Sequence, residues 1–128
     1  MAIGGIHHVA MICSDYERAK QFYTEVLGFK VIAETYRAER QSYKLDLLVG
    51  ELDRSELFSF LDPPVRPSYP EACGLRHLAF AVEDVAQFAV ELTAQGVAVQ
   101  PIRTDELTGK RFTFFQDPDG LPLEAYEI

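Results

Sequence analysis

The chain is poor in the residues that build covalent frameworks or nucleic-acid surfaces. Only Cys13 and Cys73 are cysteine among 128 residues. Met1–Gly5 lacks a basic n-region, so the expectation is a cytoplasmic chain with reduced thiols and no disulfide framework. No apolar run is long enough to span a bilayer, which argues against a membrane partner. Lys and Arg total 12 against 20 Asp and Glu, for a net charge of −8. With no Lys/Arg-rich run, that balance favours solubility and argues against nucleic acid as a partner. Asparagine is absent, and no segment is of low complexity. A hydrophobic content of 48% and this length fit one globular domain.

What the chain does have is a repeat. Ile6-His7-His8-Val9-Ala10-Met11-Ile12-Cys13-Ser14-Asp15 aligns with Leu75-Arg76-His77-Leu78-Ala79-Phe80-Ala81-Val82-Glu83-Asp84, so that His8 falls on His77, Ala10 on Ala79 and Asp15 on Asp84. Later in each copy a glutamate stands in an apolar strand, Glu56 in the first and Glu124 in the second. Each half, at about 60 residues, is marginal as an independent fold, so the halves are expected to share a core.

The first copy predicts a buried strand over Ile6–Ile12, then a helix. Ser14 with Glu17 has capping-box spacing. Ala19, Phe22, Tyr23, Val26 and Leu27 repeat on one helical face, and Gly28 stands where a helix stop belongs. The second copy repeats this with Asp84 as cap, Gln87 three on, a face of Val85, Phe88, Ala89 and Leu92, and Gly96 as stop. Strands are predicted over Phe29–Arg37, Tyr43–Val49 and Leu57–Phe60, and over Val97–Arg103, Arg111–Phe115 and Leu121–Tyr126. Gly50–Arg54 and Asp117-Pro118-Asp119-Gly120 have turn composition. Each half therefore reads β-α-β-β-β, an α+β pattern. The boundaries are about 4–61 for module one, 62–73 for a linker and 74–128 for module two. The loop from Asp62 to Gly74, with Pro63, Pro64, Pro67, Pro70 and Arg66, is expected to be ordered only in part.

On strand alternation His8 shares a face with Ile6, Ala10 and Ile12, and His7 points the other way. His77 shares a face with Leu75, Ala79 and Ala81. One histidine in such a place is an ordinary core residue with a hydrogen-bond partner. Two histidines and two glutamates at duplicated positions are not, because a carboxylate in a packed strand costs several kcal/mol unless paired or ligated. A divalent transition metal explains all four. Imidazole and carboxylate suit nickel, zinc, cobalt, manganese or iron(II). Four protein ligands on an octahedral ion leave two open positions for neighbouring substrate oxygens. The ion then acts as a Lewis acid that stabilises an enediolate, and a glutamate that loosens serves as base.

The paired modules with His and Glu in each copy resemble the vicinal oxygen chelate superfamily, and within it the glyoxalase I-like proteins. The resemblance covers essentially the whole chain. It is densest at Ile6–Asp15, at Phe22-Tyr23 with Leu27-Gly28-Phe29, at Gly74–Phe80 and at Phe114–Glu124. Pro70–Phe80 and Lys110–Phe115 are similar to the YaeR-type branch. The resemblance implies a glyoxalase/bleomycin-resistance/dioxygenase-type fold with a curved mixed sheet. It implies His8, Glu56, His77 and Glu124 as ligands of one divalent metal, Glu124 or Glu56 as the proton-shuttling carboxylate with Glu124 ahead, and a homodimer. Open sheet edges favour the dimer as well. The activity it implies is a glyoxalase I-like lyase acting on the hemithioacetal of a 2-oxoaldehyde and a thiol.

Two departures count against glutathione as that thiol. Glutathione-dependent members carry an arginine four residues after the first histidine, where this chain has Ile12, and they use an asparagine that this chain lacks. Other cations could hold an anionic small-molecule substrate: Arg37, Arg40, Arg66, Arg76, Arg103, Lys110 and Arg111. Arg76 and Arg111 are the better candidates because they lie in or beside predicted strands. Phe58, Phe60, Phe112, Phe114 and Phe115 suit a pocket lining or ordinary core packing equally. Cys73, four residues before His77, is expected to be a plain thiol. The competing readings are an iron(II) extradiol-type dioxygenase, against which Glu56 argues as a fourth ligand, and a non-catalytic metal- or small-molecule-binding protein.

Overall fold

A computed structural model describes residues 1–128. The chain divides into two units, Met1–Pro64 and Val65–Ile128. Unit one runs β1 (Val9–Cys13), α1 (Tyr16–Gln21), β2 (Lys30–Arg37), β3 (Ser42–Val49) and β4 (Asp53–Ser59). Unit two runs β5 (Leu78–Val82), α2 (Val85–Ala94), β6 (Arg103–Thr104), β7 (Arg111–Gln116) and β8 (Pro122–Glu127). Each unit is a β-α-β-β-β module on a four-stranded mixed sheet, with order β1-β4-β3-β2 in the first and β5-β8-β7-β6 in the second. The first strand of each unit pairs parallel to the last, and the other neighbours are antiparallel. No helix is long and apolar enough to cross a membrane.

Alternation gives each sheet a helix face and an open face. In unit one Met11, Leu45, Leu47 and Leu57 are buried against Ala19, Phe22 and Tyr23 of the helical segment. In unit two Phe115, Leu123 and Ala125 are buried with Val85 and Leu92. Each fully buried leucine contributes about 1.5–3 kcal/mol, so these two faces hold the sheets to their helices.

Both helices stop where glycine permits it. Gly96 takes φ +82, and the bonds Val97 N–H to Leu92 O and Gly96 N–H to Thr93 O close a Schellman motif. In unit one α1 widens into a π-helical turn over Phe22–Val26 before Gly28 at φ +77. The extra residue lengthens the closing bond, which runs from Phe29 N–H to Tyr23 O.

Several expectations need correction. The first helix is capped by Asp15, which accepts from Arg18 N–H, and not by Ser14; Asp84 does cap the second, accepting from Gln87 N–H. Strand β1 begins at Val9, so His7 and His8 precede the ladder and alternation does not separate them; their Nδ1 atoms lie 2.8 Å apart. The face that carries Ala10 and Ile12 is the open one, with Ile12 58% exposed against 5% for Met11. The predicted strand Val97–Arg103 shrinks to Arg103–Thr104 because Pro101 has no N–H to donate; Gln100 still reaches Phe114 O. Asp53 and Arg54 belong to β4 and not to the turn. The loop after Asp62 is tethered: Arg66 donates to the carbonyls of Leu75 and Arg76 and to Ser68 Oγ. That engages Arg66 as a structural anchor.

Candidate functional site

The four predicted ligands meet in two pairs, one in each unit. Register puts Glu56 beside Ala10 on β1 and Glu124 beside Ala79 on β5, so each glutamate projects on the open face near the residue that leads into the neighbouring strand. His8 Nε2 lies 3.6 Å from Glu56 Oε1. His77 Nε2 lies 2.9 Å from Glu124 Oε2. Glu124 is the more enclosed carboxylate, with 11% of its side chain exposed against 15% for Glu56. No group of three or more His, Cys, Asp or Glu side chains is placed to hold a metal ion.

Both histidines turn Nε2 toward a glutamate and Nδ1 toward an outer partner, His7 in one case and Arg76 Nη1 at 3.2 Å in the other. An outer partner on one nitrogen fixes the ring and its tautomer. With Arg76 at Nδ1, Nε2 is the His77 nitrogen turned toward Glu124. Each pair offers one nitrogen and one oxygen, the donor types that a borderline divalent ion takes.

The surroundings of the two glutamates differ. Opposite Glu56 on β3 stands Asp46, a like-charge neighbour that Lys44 bridges at 3.2 Å to Asp46 and 3.7 Å to Glu56. Opposite Glu124 on β7 stands Phe114, whose ring meets the His77 imidazole edge-on at 5.1 Å. Phe112 and Tyr126, also paired and stacked at 6.3 Å, extend that apolar floor. Together with Arg76, Arg103 and the segment Thr104–Leu107 they line an open cleft of about 490 Å³ that contains His77 and Glu124.

The segment is clipped down by Asp105. Its carboxylate accepts from Leu107 N–H at 2.9 Å and from the Tyr126 hydroxyl at 2.9 Å, and these bonds hold its pKa below the ordinary value, the Leu107 bond most. Tyr126 also meets Thr108 Oγ1.

The two favoured arginines part company. Arg76 borders the cleft and pairs with Glu71 at 3.0 Å. Arg111 shares its face with Thr113 and Phe115, the helix face, and pairs with Glu127 at 2.8 Å and with Asp84 at 4.0 Å. Glu127 is lowered in pKa first by Arg111 and then by Val85 N–H. Arg103 takes the place at the cleft that Arg111 does not. Of the phenylalanines, Phe112 and Phe114 line the cleft, Phe58 and Phe60 lie under Arg37, and Phe115 is core at 3% exposure. Cys13 is buried, Cys73 is exposed, and both are free. Sequence reasoning passed over Lys44, Asp46, Asp105 and Tyr126. The signal was there in Lys44-x-Asp46 and Glu124-x-Tyr126, because residues two apart share a strand face.

A family model described as Glyoxalase/Bleomycin resistance protein/Dioxygenase superfamily matches residues 5–125. The chain is 61% identical to "Uncharacterized protein YwkD" of Bacillus subtilis over 99% of both chains, and 53% identical to "Uncharacterized protein YaeR" of Escherichia coli over 95% of both. A crystal structure of the glyoxalase family protein from Enterococcus faecalis superposes with a TM-score of 0.91 at 50% identity, covering 99% of this chain and 100% of that one. More distant relatives carry named activities. A 2-epi-5-epi-valiolone epimerase of Actinomyces sp is 31% identical over 96% of this chain and 79% of its own length. Lactoylglutathione lyase GLX1 of Arabidopsis thaliana is 26% identical over 94% of this chain and 43% of its own.

Proposed function

The chain belongs to the Glyoxalase/Bleomycin resistance protein/Dioxygenase superfamily, and from that premise we propose that it is a metal-dependent glyoxalase I-like lyase acting on the hemithioacetal of a 2-oxoaldehyde and a thiol. The observation that carries the reading is the repeated pair, a histidine Nε2 facing a glutamate carboxylate in each unit. The similarity to a lactoylglutathione lyase supports it.

In this reading His8, Glu56, His77 and Glu124 supply the nitrogen and oxygen donors for a divalent ion of the nickel, zinc, cobalt, manganese or iron(II) class. When bound, such an ion supplies Lewis-acid stabilisation of negative charge on substrate oxygens. Glu124 takes the proton from one carbon and returns it to the neighbouring one. His77 orients Glu124, and Phe112, Phe114 and Tyr126 keep that end of the cleft apolar. Arg76 takes part at the rim, and Arg111 has no role at the cleft.

The test has two arms. Elemental analysis of the wild type and of His77→Ala is expected to show metal lost from the variant; equal content overturns the ligand assignment. Turnover of methylglyoxal hemithioacetals is then measured with several thiols, since Ile12 and the absence of asparagine argue against glutathione. No turnover with any thiol overturns the lyase reading. The epimerase similarity favours a second reading that uses the same elementary step, a proton removed from and returned to carbon; product stereochemistry separates the two. We also propose a homodimer, on the ground that each four-stranded sheet ends in edge strands that pair with a neighbour on one side only. Sedimentation showing only a 14.4 kDa species overturns that.

A further inference from the structure

Three arginines approach the second unit's sheet, and two of them are already engaged. Arg111 is held on the helix face by two bonds to Glu127. Arg76 is held by Glu71 and lies against His77. Arg103 has no ion pair and no side-chain hydrogen bond. Its guanidinium rests on ring faces, 5.0 Å from the centroid of Phe112 and 5.8 Å from that of Phe114. Stacking of this kind fixes the plane of the group and leaves its edge N–H donors open, in the fork geometry that matches a carboxylate.

Besides Glu124, two further acids border the cleft, Asp105 and Glu106. The Asp105 carboxylate is occupied by Leu107 N–H and the Tyr126 hydroxyl, and neither acid forms an ion pair with Arg103. Their presence limits the charge the cleft accepts. One guanidinium balances a single negative charge on a ligand, and the neighbouring carboxylates repel a second, which favours a monocarboxylate over a phosphate dianion. The aromatic floor provides the second half of the recognition. Phe114 touches both Arg103, at 5.8 Å, and His77, at 5.1 Å. A small molecule lying on that one ring therefore reaches from the guanidinium to the His77–Glu124 pair.

We propose that Arg103 is the specificity-determining anion receptor of this cleft, and that its ligand is a small monocarboxylate with a flat or apolar body seated on Phe112 and Phe114. The inference rests on the proposed function only in taking Glu124 as the reacting end. Its physical content is a binding site, and binding is what tests it.

Benzoate, benzyl alcohol and phenyl phosphate are titrated into the full-length protein after chelator treatment and dialysis, with ligand-observed NMR as readout. The wild type is expected to prefer benzoate to benzyl alcohol by about tenfold or more, the scale of one charge-assisted bidentate contact. Arg103→Met keeps an apolar stem on the rings and removes the charge. It is expected to lose that preference while binding benzyl alcohol as before, and Arg103→Lys is expected to restore part of it. Arg111→Met is expected to leave benzoate affinity unchanged. Benzoate bound equally by wild type and Arg103→Met, no benzoate binding at all, or phenyl phosphate bound more tightly than benzoate each overturns the proposal. Because no turnover is read, a protein that binds benzoate through Arg103 and isomerises no hemithioacetal loses the lyase reading and keeps this one.

Discussion

Glu56 faces Asp46 across β3, and Glu124 faces Phe114 across β7. The same comparison two residues on sets Lys44 against Phe58 in unit one and Phe112 against Tyr126 in unit two. The helix faces of the two units are built alike, from leucine and aromatic packing. The open faces keep the His/Glu pair and differ in almost everything around it. In unit one the glutamate is fixed in a charged row, with a lysine between two carboxylates. In unit two it stands beside aromatic rings, with His77 Nε2 at 2.9 Å. Under the proposed function, a duplicated pair in unlike surroundings serves unlike tasks, with Glu56 the fixed ligand and Glu124 the carboxylate that moves a proton.

The sharpest way to break that contrast is to neutralise the two glutamates in turn. Glutamine keeps the shape and one oxygen donor but cannot act as base. Glu124→Gln is expected to keep substantial metal and lose turnover by about 10²–10⁴, the usual scale of general-base catalysis. Glu56→Gln is expected to lose more metal and, once metal is restored in excess, much less turnover. Equal rate losses at saturating metal erase the distinction between the two modules.

The helix faces provide the control. Leu45 in β3 and Leu123 in β8 are both fully buried. Leu45→Ala and Leu123→Ala are each expected to cost about 2–5 kcal/mol of stability, measured by urea unfolding, with bound metal per folded protein unchanged. A loss confined to one of the two denies that the buried faces are equivalent.

How much of this was legible beforehand follows the same division. The helix faces were readable because burial imposes periodicity: Ala19, Phe22 and Tyr23, or Val85 and Leu92, can be assigned from spacing alone. The His/Glu pairs were readable because duplication repeats them. The open face was harder. A side chain there is chosen for its partner across the ladder, and register is not written in one strand. Asp46 means little until it is seen opposite Glu56. Arg103 was one cation among seven until the short β6 set it opposite Phe112. Arg111 looked as good from its position in a strand, yet alternation sends it to the helix face. The edge of β1 misled for a related reason: Ile6–Ile12 is apolar apart from His7 and His8, and composition does not say that pairing starts only at Val9.

Lys44 offers a smaller effect that sharpens the contrast from the unit-one side. Its ammonium stands 3.7 Å from Glu56 and repels an incoming cation. Lys44→Met is expected to tighten metal binding by about 0.5–1 kcal/mol, the scale of a partly exposed pair, read as a several-fold fall in the dissociation constant. Phe112→Leu in unit two is expected to leave metal affinity unchanged. Equal affinity in wild type and Lys44→Met removes Lys44 from the comparison.

The smallest expected effect concerns the hydroxyl that Tyr126 has and Phe58, its counterpart opposite Lys44, lacks. That hydroxyl donates to Asp105 and so helps clip Thr104–Lys110 over the cleft. The Asp105 carboxyl is held below the ordinary carboxylate pKa, by Leu107 N–H first and the Tyr126 hydroxyl second. A depressed carboxyl contributes its bonds fully above the ordinary value of about 3.9. They are lost as the pH falls through the lower folded value. The clip is therefore expected to be intact at neutral pH and to open only in acid. Tyr126→Phe removes one of the two main bonds and leaves the Leu107 bond. Its Asp105 titration, followed by the carboxyl carbon shift in NMR, is expected to move up toward the ordinary value without reaching it. Amide exchange at Leu107 is expected to rise at the acid end of the range, with metal content unchanged. A midpoint that stays where it was assigns the clip to the backbone alone, and the hydroxyl then ceases to distinguish the second unit from the first.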